Sequence, residues 1–298
     1  MNRRPLRIPE SRFPLTCQWE ITCRCNLRCV MCYTDCYNTP AKIREELSTA
    51  EIFGILDALA AAGCLEITFT GGEPLARPDF FQIYERAKQL GFLVAIFTNA
   101  TLMTPEAAGR LAQLPPLRVE ISLHGITAET FEAVTQGKGS FERCRRAIEL
   151  LLEHRIPLVL KTTALTLNRD EIFAIKKFVN GLQGASYRLG ERLRLALDGG
   201  DPGAAYALAE EELTRLENED PEICEAACEE KAEEGLPCTT GAYSFHIDAY
   251  GGLQLCSGNR TQTYDLRKGS FKEGFYQSLP MFPCRFKARP VPSISGEY

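Results

Sequence analysis

The chain has 298 residues, 45% of them hydrophobic, and 34 Lys and Arg against 39 Asp and Glu, a formal net charge of −5. That is enough for one large α/β core or two smaller ones, and an acidic balance without a dense basic stripe argues against nucleic acid as a main partner. No apolar run approaches the roughly 20 residues of a membrane-spanning helix, and the opening MNRRPLRIPESRFP has no apolar signal core, so a cytoplasmic protein without a membrane partner is expected.

From about residue 15 to 190, short β-type runs alternate with helical stretches. The runs are LTCQWEI (15–21), CLEITFT (64–70), FLVAIFT (92–98), LRVEISL (117–123), IPLVLKT (156–162) and ASYRL (185–189). Such alternation predicts βαβ units in the α/β class, here six parallel strands forming a partial (β/α)6 TIM-like barrel or an open sheet. Ser48 to Glu51 has the form of a capping box, Thr104-Pro105 sets a cap before Pro at the first helical position, and Gly91 follows a helix expected over 79–90. Polar and Gly-rich residues gather just after the strands, in GGEP (71–74), NAT (99–101), HG (124–125) and TALTLN (163–168). That is the edge where parallel α/β folds build their sites.

Three segments are expected: 1–190, an acidic helix-prone linker over 191–235, and an extension over 236–298. TGAYSFHIDAYGGLQLCSG (240–258) reads as a β-hairpin around Gly251-Gly252, so the extension is a small hairpin and helix unit, with an irregular tail from Phe282.

Thirteen cysteines in a reducing compartment call for a metal rather than disulfides. CRCNLRCVMCYTDC (23–36) holds five of them, with Cys25, Cys29, Cys32 and Cys36 spaced C-x3-C-x2-C-x3-C. Thiolates suit zinc and iron-sulfur clusters; zinc prefers two knuckles with a longer spacer, so crowding in one loop favours a cubane. Spacing alone leaves open whether three or four of these cysteines hold it.

The C-x3-C-x2-C loop followed some forty residues later by a strand and GGEP resembles the radical S-adenosylmethionine (SAM) enzymes over residues 15–190. The resemblance implies that Cys25, Cys29 and Cys32 ligate three irons of a [4Fe-4S] cluster and that the open fourth iron is chelated by SAM. Cys36 then lies off the cluster, and Cys17, Cys23, Cys64 and Cys144 are packing or surface thiols. It also implies SAM contacts from Gly71, Gly72, Glu73 and Pro74, with Glu73 receiving the ammonium group. Ser122 matches a position near the SAM ribose or carboxylate, and Asn99 with Thr98 faces the same cavity. Met31 stands where the family often has an aromatic residue beside adenine, and Tyr33 or Leu165 can supply that contact instead. His124 is either an acid-base group or a loop hydrogen-bonding residue.

Cys238, the hairpin and Cys256 resemble the opening of the SPASM or shorter Twitch extension. This implies one auxiliary iron-sulfur cluster on Cys238, Cys256 and Cys284, with Cys224 or Cys228 as a candidate fourth ligand. The expected substrate is a ribosomally made peptide or protein that is crosslinked, epimerised or oxidised. A flavodoxin- or ferredoxin-type reductant and a separate leader-binding protein are the expected partners. Two alternatives are a cofactor-biosynthesis enzyme acting on a small molecule and a non-catalytic iron-sulfur protein.

Overall fold

The six strand expectations are met almost to the residue. β1 (Thr16–Thr22), β2 (Glu66–Gly71), β3 (Leu93–Thr98), β4 (Arg118–Ser122), β5 (Leu158–Thr163) and β6 (Ala185–Gly190) pair in parallel in chain order. The computed structural model describes residues 12–34, 39–190, 193, 196, 200–220, 241–260 and 262–283. The sheet stays open: beyond β1 it continues with β7 (Ser244–Ile247), β8 (Gly252–Gln254) and β9 (Tyr264–Asp265), in the order β6-β5-β4-β3-β2-β1-β7-β8-β9.

One face of each strand is apolar and buried under helices. Trp19, Ile21, Ile67, Phe69, Val94, Ile96, Val119, Ile121 and Leu160 form one cluster with Ile52, Leu56 and Leu59 of α2 (Thr49–Ala61), Phe80 and Ile83 of α3 (Phe80–Gln89) and Leu151 of the helix over 140–153. Most of the alternate residues are polar, among them Glu20, Glu66, Thr68, Thr70, Arg118, Glu120, Ser122 and Lys161, with Ala95, Phe97 and Val159 as apolar exceptions, and period 2 puts them on the opposite face. A hydrophobic side and a charged side therefore come from the same six strands.

The helix signals read from sequence are made. Ser48 and Glu51 close a reciprocal capping box on α2, and the Thr104 hydroxyl accepts from the Ala107 N–H of α4 (Pro105–Gln113). Gly91 takes a left-handed φ of 90° after α3. After α1 (Pro40–Glu45), α5 (Ala128–Thr135) and α6 (Ser140–Glu153) lead to β5, and α7 (Ile172–Asn180) to β6. In the acidic linker, α8 (Glu210–Glu219) is docked: Leu216 is buried with Ala164, Ile172 and Leu189, and Asp220 pairs with Lys176 at 2.7 Å.

The hairpin forms with its turn shifted from the expected place. The turn runs through Asp248–Gly251, and Gly252 already belongs to β8, because the Asp248 carboxylate accepts from the Tyr250 and Gly252 N–H groups at 2.9 and 2.8 Å. Gly251 alone needs the left-handed conformation, with φ of 89°. β7 runs parallel to β1, from Thr16 opposite Ser244 to Trp19 opposite Ile247, so the extension shares the main sheet. Phe271 and Phe275 pack on Phe245 with ring centroids 5.1 and 5.4 Å away.

A buried charge pair completes this junction. Glu20 is 2% exposed and accepts from both terminal nitrogens of Arg260, and His246 Nε2 lies 3.6 Å away. Burial pushes the Glu20 carboxyl up, but His246 and Arg260 outweigh it and hold the group at about 2. Its ionised form therefore stabilises the fold above the ordinary carboxylate range, and this stability drains away as pH falls from 4.5 toward 2. Glu20→Ala, which strands Arg260, should cost about 3 kcal/mol in urea unfolding at pH 7 and flatten the acid limb below pH 4.5.

Candidate active site

The two motifs picked out in the sequence are joined backbone to backbone. Gly72 N–H donates to the Thr22 carbonyl at 2.9 Å, and Glu73 N–H to the Arg24 carbonyl at 2.7 Å. A Cβ on Gly71 would stand 2.1 Å from the Thr22 oxygen, and one on Gly72 would stand 2.3 Å from the Arg24 oxygen. The glycines thus first serve an approach to the chain itself: they let the β2 end lie against the root of the cysteine loop.

The loop is fixed at further points. Glu46, 7% exposed, accepts from the Thr22 hydroxyl at 2.7 Å and the Cys23 N–H at 2.9 Å, and pairs with Arg24 at 3.0 Å. Arg77, 5% exposed, donates to the Ile21 and Leu47 carbonyls, each at 2.7 Å, and pairs with Asp79. Further along, the Arg28 and Val30 N–H groups donate to the Thr135 and Val134 carbonyls at the end of α5, while Leu27 is buried against Gly137.

The cysteines fall into two chemical groups. Cys17, Cys23, Cys64 and Cys144 are buried, and burial pushes their thiols up, to about 12 for Cys23, Cys64 and Cys144. Cys17, Cys64 and Cys144 pack in the apolar cluster, and Cys23 is buried at the root of the loop. Cys25, Cys29 and Cys32 are half-buried on the loop, where Cys25 Sγ accepts from the Leu27 N–H at 3.4 Å and lies 3.8 Å from Asn99 Nδ2. Cys32 N–H donates to the Cys29 carbonyl, and its Sγ lies 3.2 Å from the Thr34 hydroxyl. Three accessible thiols on one anchored loop fit a cubane. Among the described residues no three His, Cys, Asp or Glu side chains converge on a single-ion site, and cubane ligands, each on its own iron, need not do so.

The neighbouring strand ends build the rest of the rim. Glu73 is fully buried: Oε1 accepts from the Thr98 hydroxyl at 2.7 Å and the Leu75 N–H at 3.0 Å, and Oε2 from the Asn99 N–H at 2.7 Å. Burial pushes this carboxyl up to about 7 despite those three donors. Asn99 Nδ2 donates to Asn26 Oδ1 at 3.0 Å, and both residues bond Thr101. Ser122 is half-buried at the end of β4, and Met31 and Tyr33 are half-buried beside Cys32, with Arg260 lying 5.6 Å over the Tyr33 ring. His124 is buried and pushed down to about 4; its Nδ1 faces the Thr163 N–H at 3.3 Å, and its carbonyl takes the Asn168 amide, a loop-building role. Glu46, Arg77 and Asn26 were not read from the sequence, since an isolated polar residue has no periodic signal until its partner is known, whereas Thr101 lies in the strand-end NAT that was.

In the extension, Cys256 is half-buried just beyond β8. Asn259 N–H donates to the Cys256 carbonyl at 3.2 Å, and Asn259 Nδ2 to the Pro283 carbonyl at 2.7 Å, so the residue preceding Cys284 is fastened to the Cys256 turn. Cys36, Cys224, Cys228, Cys238 and Cys284 lie outside the described residues.

Comparison with known proteins agrees with this geometry. The Radical SAM superfamily signature matches residues 19–179. The AdoMet-dependent heme synthase of Methanosarcina barkeri is 34% identical over 182 residues, covering 61% of this chain and 52% of that protein. The mycofactocin maturase MftC of Mycobacterium tuberculosis is 38% identical over 138 residues, covering 46% and 34%. The chain thus spans about half or less of these curated relatives. Among solved structures, Streptococcus suis SuiB bound to S-adenosylmethionine shares the fold with a TM-score of 0.72 at 16% identity, over 90% of this chain and 66% of that one. With the signature running from β1 through the cysteine loop and GGEP to α7, the chain belongs to the radical SAM superfamily.

Proposed function

We propose that this chain is a SAM-cleaving radical enzyme, and the observation that carries the reading is the backbone joint between the three-thiol loop and GGEP. Cys25, Cys29 and Cys32 hold a [4Fe-4S] cluster, with Gly71, Gly72, Glu73, Pro74, Asn99 and Ser122 around SAM and Met31 and Tyr33 flanking it. The chemistry this group supplies when bound is one-electron reductive cleavage of SAM to a 5′-deoxyadenosyl radical, which takes a hydrogen atom from substrate. The residues of the chain position and exclude. Glu73 locks the ends of β2 and β3 through Leu75, Thr98 and Asn99, and Asn99 in turn directs its amide at Cys25. Arg260 covers Tyr33 from the extension.

A second cluster on Cys238, Cys256 and Cys284 is part of the proposal, supported by the Asn259 bond that holds Pro283 at the Cys256 turn. The proposed substrate is a peptide or protein, in line with the maturase relative and with a fold neighbour that binds its precursor peptide SuiA. A flavodoxin- or ferredoxin-type protein supplies electrons, and a separate protein presents the leader. The heme synthase relative favours a second reading, modification of a small-molecule cofactor precursor.

After anaerobic reconstitution, the chain should convert SAM to 5′-deoxyadenosine with dithionite and carry about eight irons, falling to about four in Cys256→Ala. Cys29→Ala should lose both the SAM-site cluster and cleavage, whereas Cys36→Ala should keep both; a loaded wild type that neither binds nor cleaves SAM would end the proposal. Gly72→Ala should force the Arg24 carbonyl away and at least halve iron retention by the loop.

Glu73 gives a pH test. Its raised pKa means that the folded chain keeps a proton already lost by the unfolded chain, so its contribution to stability declines as pH rises from 4.5 through about 7. Urea midpoints at pH 5 and pH 8 should show a decline of about 2 kcal/mol relative to Glu73→Gln, which has no such slope.

A further inference from the structure

On the polar face of the sheet, away from the helices, strand register sets Ser122 of β4 opposite Lys161 of β5, and Lys161 opposite Arg188 of β6. Register partners in a parallel sheet present their side chains to the same face, so these three form a row just below the strand ends. Glu120, whose side chain is fully buried, stands at its centre. Its Oε1 accepts from Arg118 Nε at 2.6 Å, its Oε2 pairs with Lys161, and Arg188 reaches it only at 4.0 Å. Arg118 also meets Glu66 at 3.2 Å.

Among the described residues three cations thus face two carboxylates, and the excess positive charge lies on the accessible side. The Arg188 side chain is 58% exposed and that of Lys161 30%, and the Lys161 ammonium sits 3.9 Å from the Phe97 ring centre. Burial pulls Lys161 below the ordinary lysine range, Glu120 draws it back, and the positive Arg188 and Arg118 push it down again. An added anion would relieve that repulsion. Among the described residues the fork of Arg188 has one anionic partner, at the limit of ion-pair reach, and so has donors to spare.

We propose that Lys161 and Arg188, held in place by Glu120, bind a carboxylate of the substrate on the polar face of the sheet. Glu120 acts as a positioning residue: it fixes the lysine and Arg118 head groups without consuming the arginine fork at the edge strand. The site deepens the reading above and rests on it for its role, but not for its detection, because binding can be measured without SAM cleavage.

The cluster-reconstituted full chain should be titrated with two matched probe pairs. Coproporphyrin III and its tetramethyl ester represent a small-molecule source, and N-acetyl-dialanine as free acid and as amide represents a peptide source. At least one acid should bind ten times or more tightly than its neutral partner, with the preference weakening as salt is raised, and the responding pair identifies the source. Arg188→Gln should abolish the preference; because that side chain is largely exposed, the variant is expected to fold, and an unchanged thermal melt checks this. Lys161→Gln should act in the same direction. Equal binding of acid and neutral forms, no binding of either acid, or an undiminished preference in Arg188→Gln would overturn the site and leave the three cations as neutralisers of Glu120. A chain that prefers an acid yet yields no 5′-deoxyadenosine keeps this site and loses the enzyme reading; cleavage without preference does the reverse.

Discussion

The arrangement depends on a contact between two stretches of backbone. Thr22 and Arg24 offer carbonyls where β1 gives way to the cysteine loop, and Gly72 and Glu73 offer N–H groups where β2 ends. No side chain fits between them, as the clashes at Gly71 and Gly72 show. A thiol loop can be held on a strand end in many ways, but here its root is part of the neighbouring strand's own turn, so motion of one carries the other. Glu46 and Arg77 extend this joint by anchoring the same corner to the region before α2. Both are buried charges whose partners are mostly backbone or lie on the corner itself, so they act as local ties.

The same economy shows in the sheet's two faces. The apolar set from β1 to β5 is ordinary core, and burying it under the helices stabilises the sheet on that side. The other set is largely polar, and several of its members, Glu20, Thr68, Thr70 and Glu120, are buried. Charged groups on it are grouped, Glu20 with Arg260 and His246 on one side and Glu120 with Arg118, Lys161 and Arg188 on the other, since a buried carboxylate without a partner would be costly. The cysteine loop and GGEP rise from the strands between these two groups.

Much of this was legible beforehand, and for stated reasons. Strand runs such as CLEITFT and helix caps such as Ser48 with Glu51 are local signals, so period and capping chemistry found them within two or three residues. The cysteine loop and GGEP stood out by their spacing, and the structure brings the two together. What escaped were relations between distant residues. Sequence suggested glycines making room for a ligand, whereas the room is first taken by Thr22 and Arg24. It suggested that the Glu73 side chain was available to an ammonium group, whereas its oxygens are bound to Thr98, Leu75 and Asn99. The Gly-Gly turn was displaced because Asp248, unremarkable in a linear reading, gathers the turn's N–H groups. Each miss is a hydrogen bond whose donor is specified in one part of the chain and whose acceptor lies in another.

The parallel seating of β7 beside β1 bears on how the molecule comes into being. β1 is flanked by β2, made soon after it, and by β7, made after all six parallel strands; Arg260 must reach back across 240 residues of chain to find Glu20. During synthesis the strand that roots the cysteine loop therefore keeps one open edge until β7 has been made. Long-range closure of this kind is slow relative to local pairing. The thiols are thus carried on a half-built support until β7 docks, and the final shape of their surroundings is set only then.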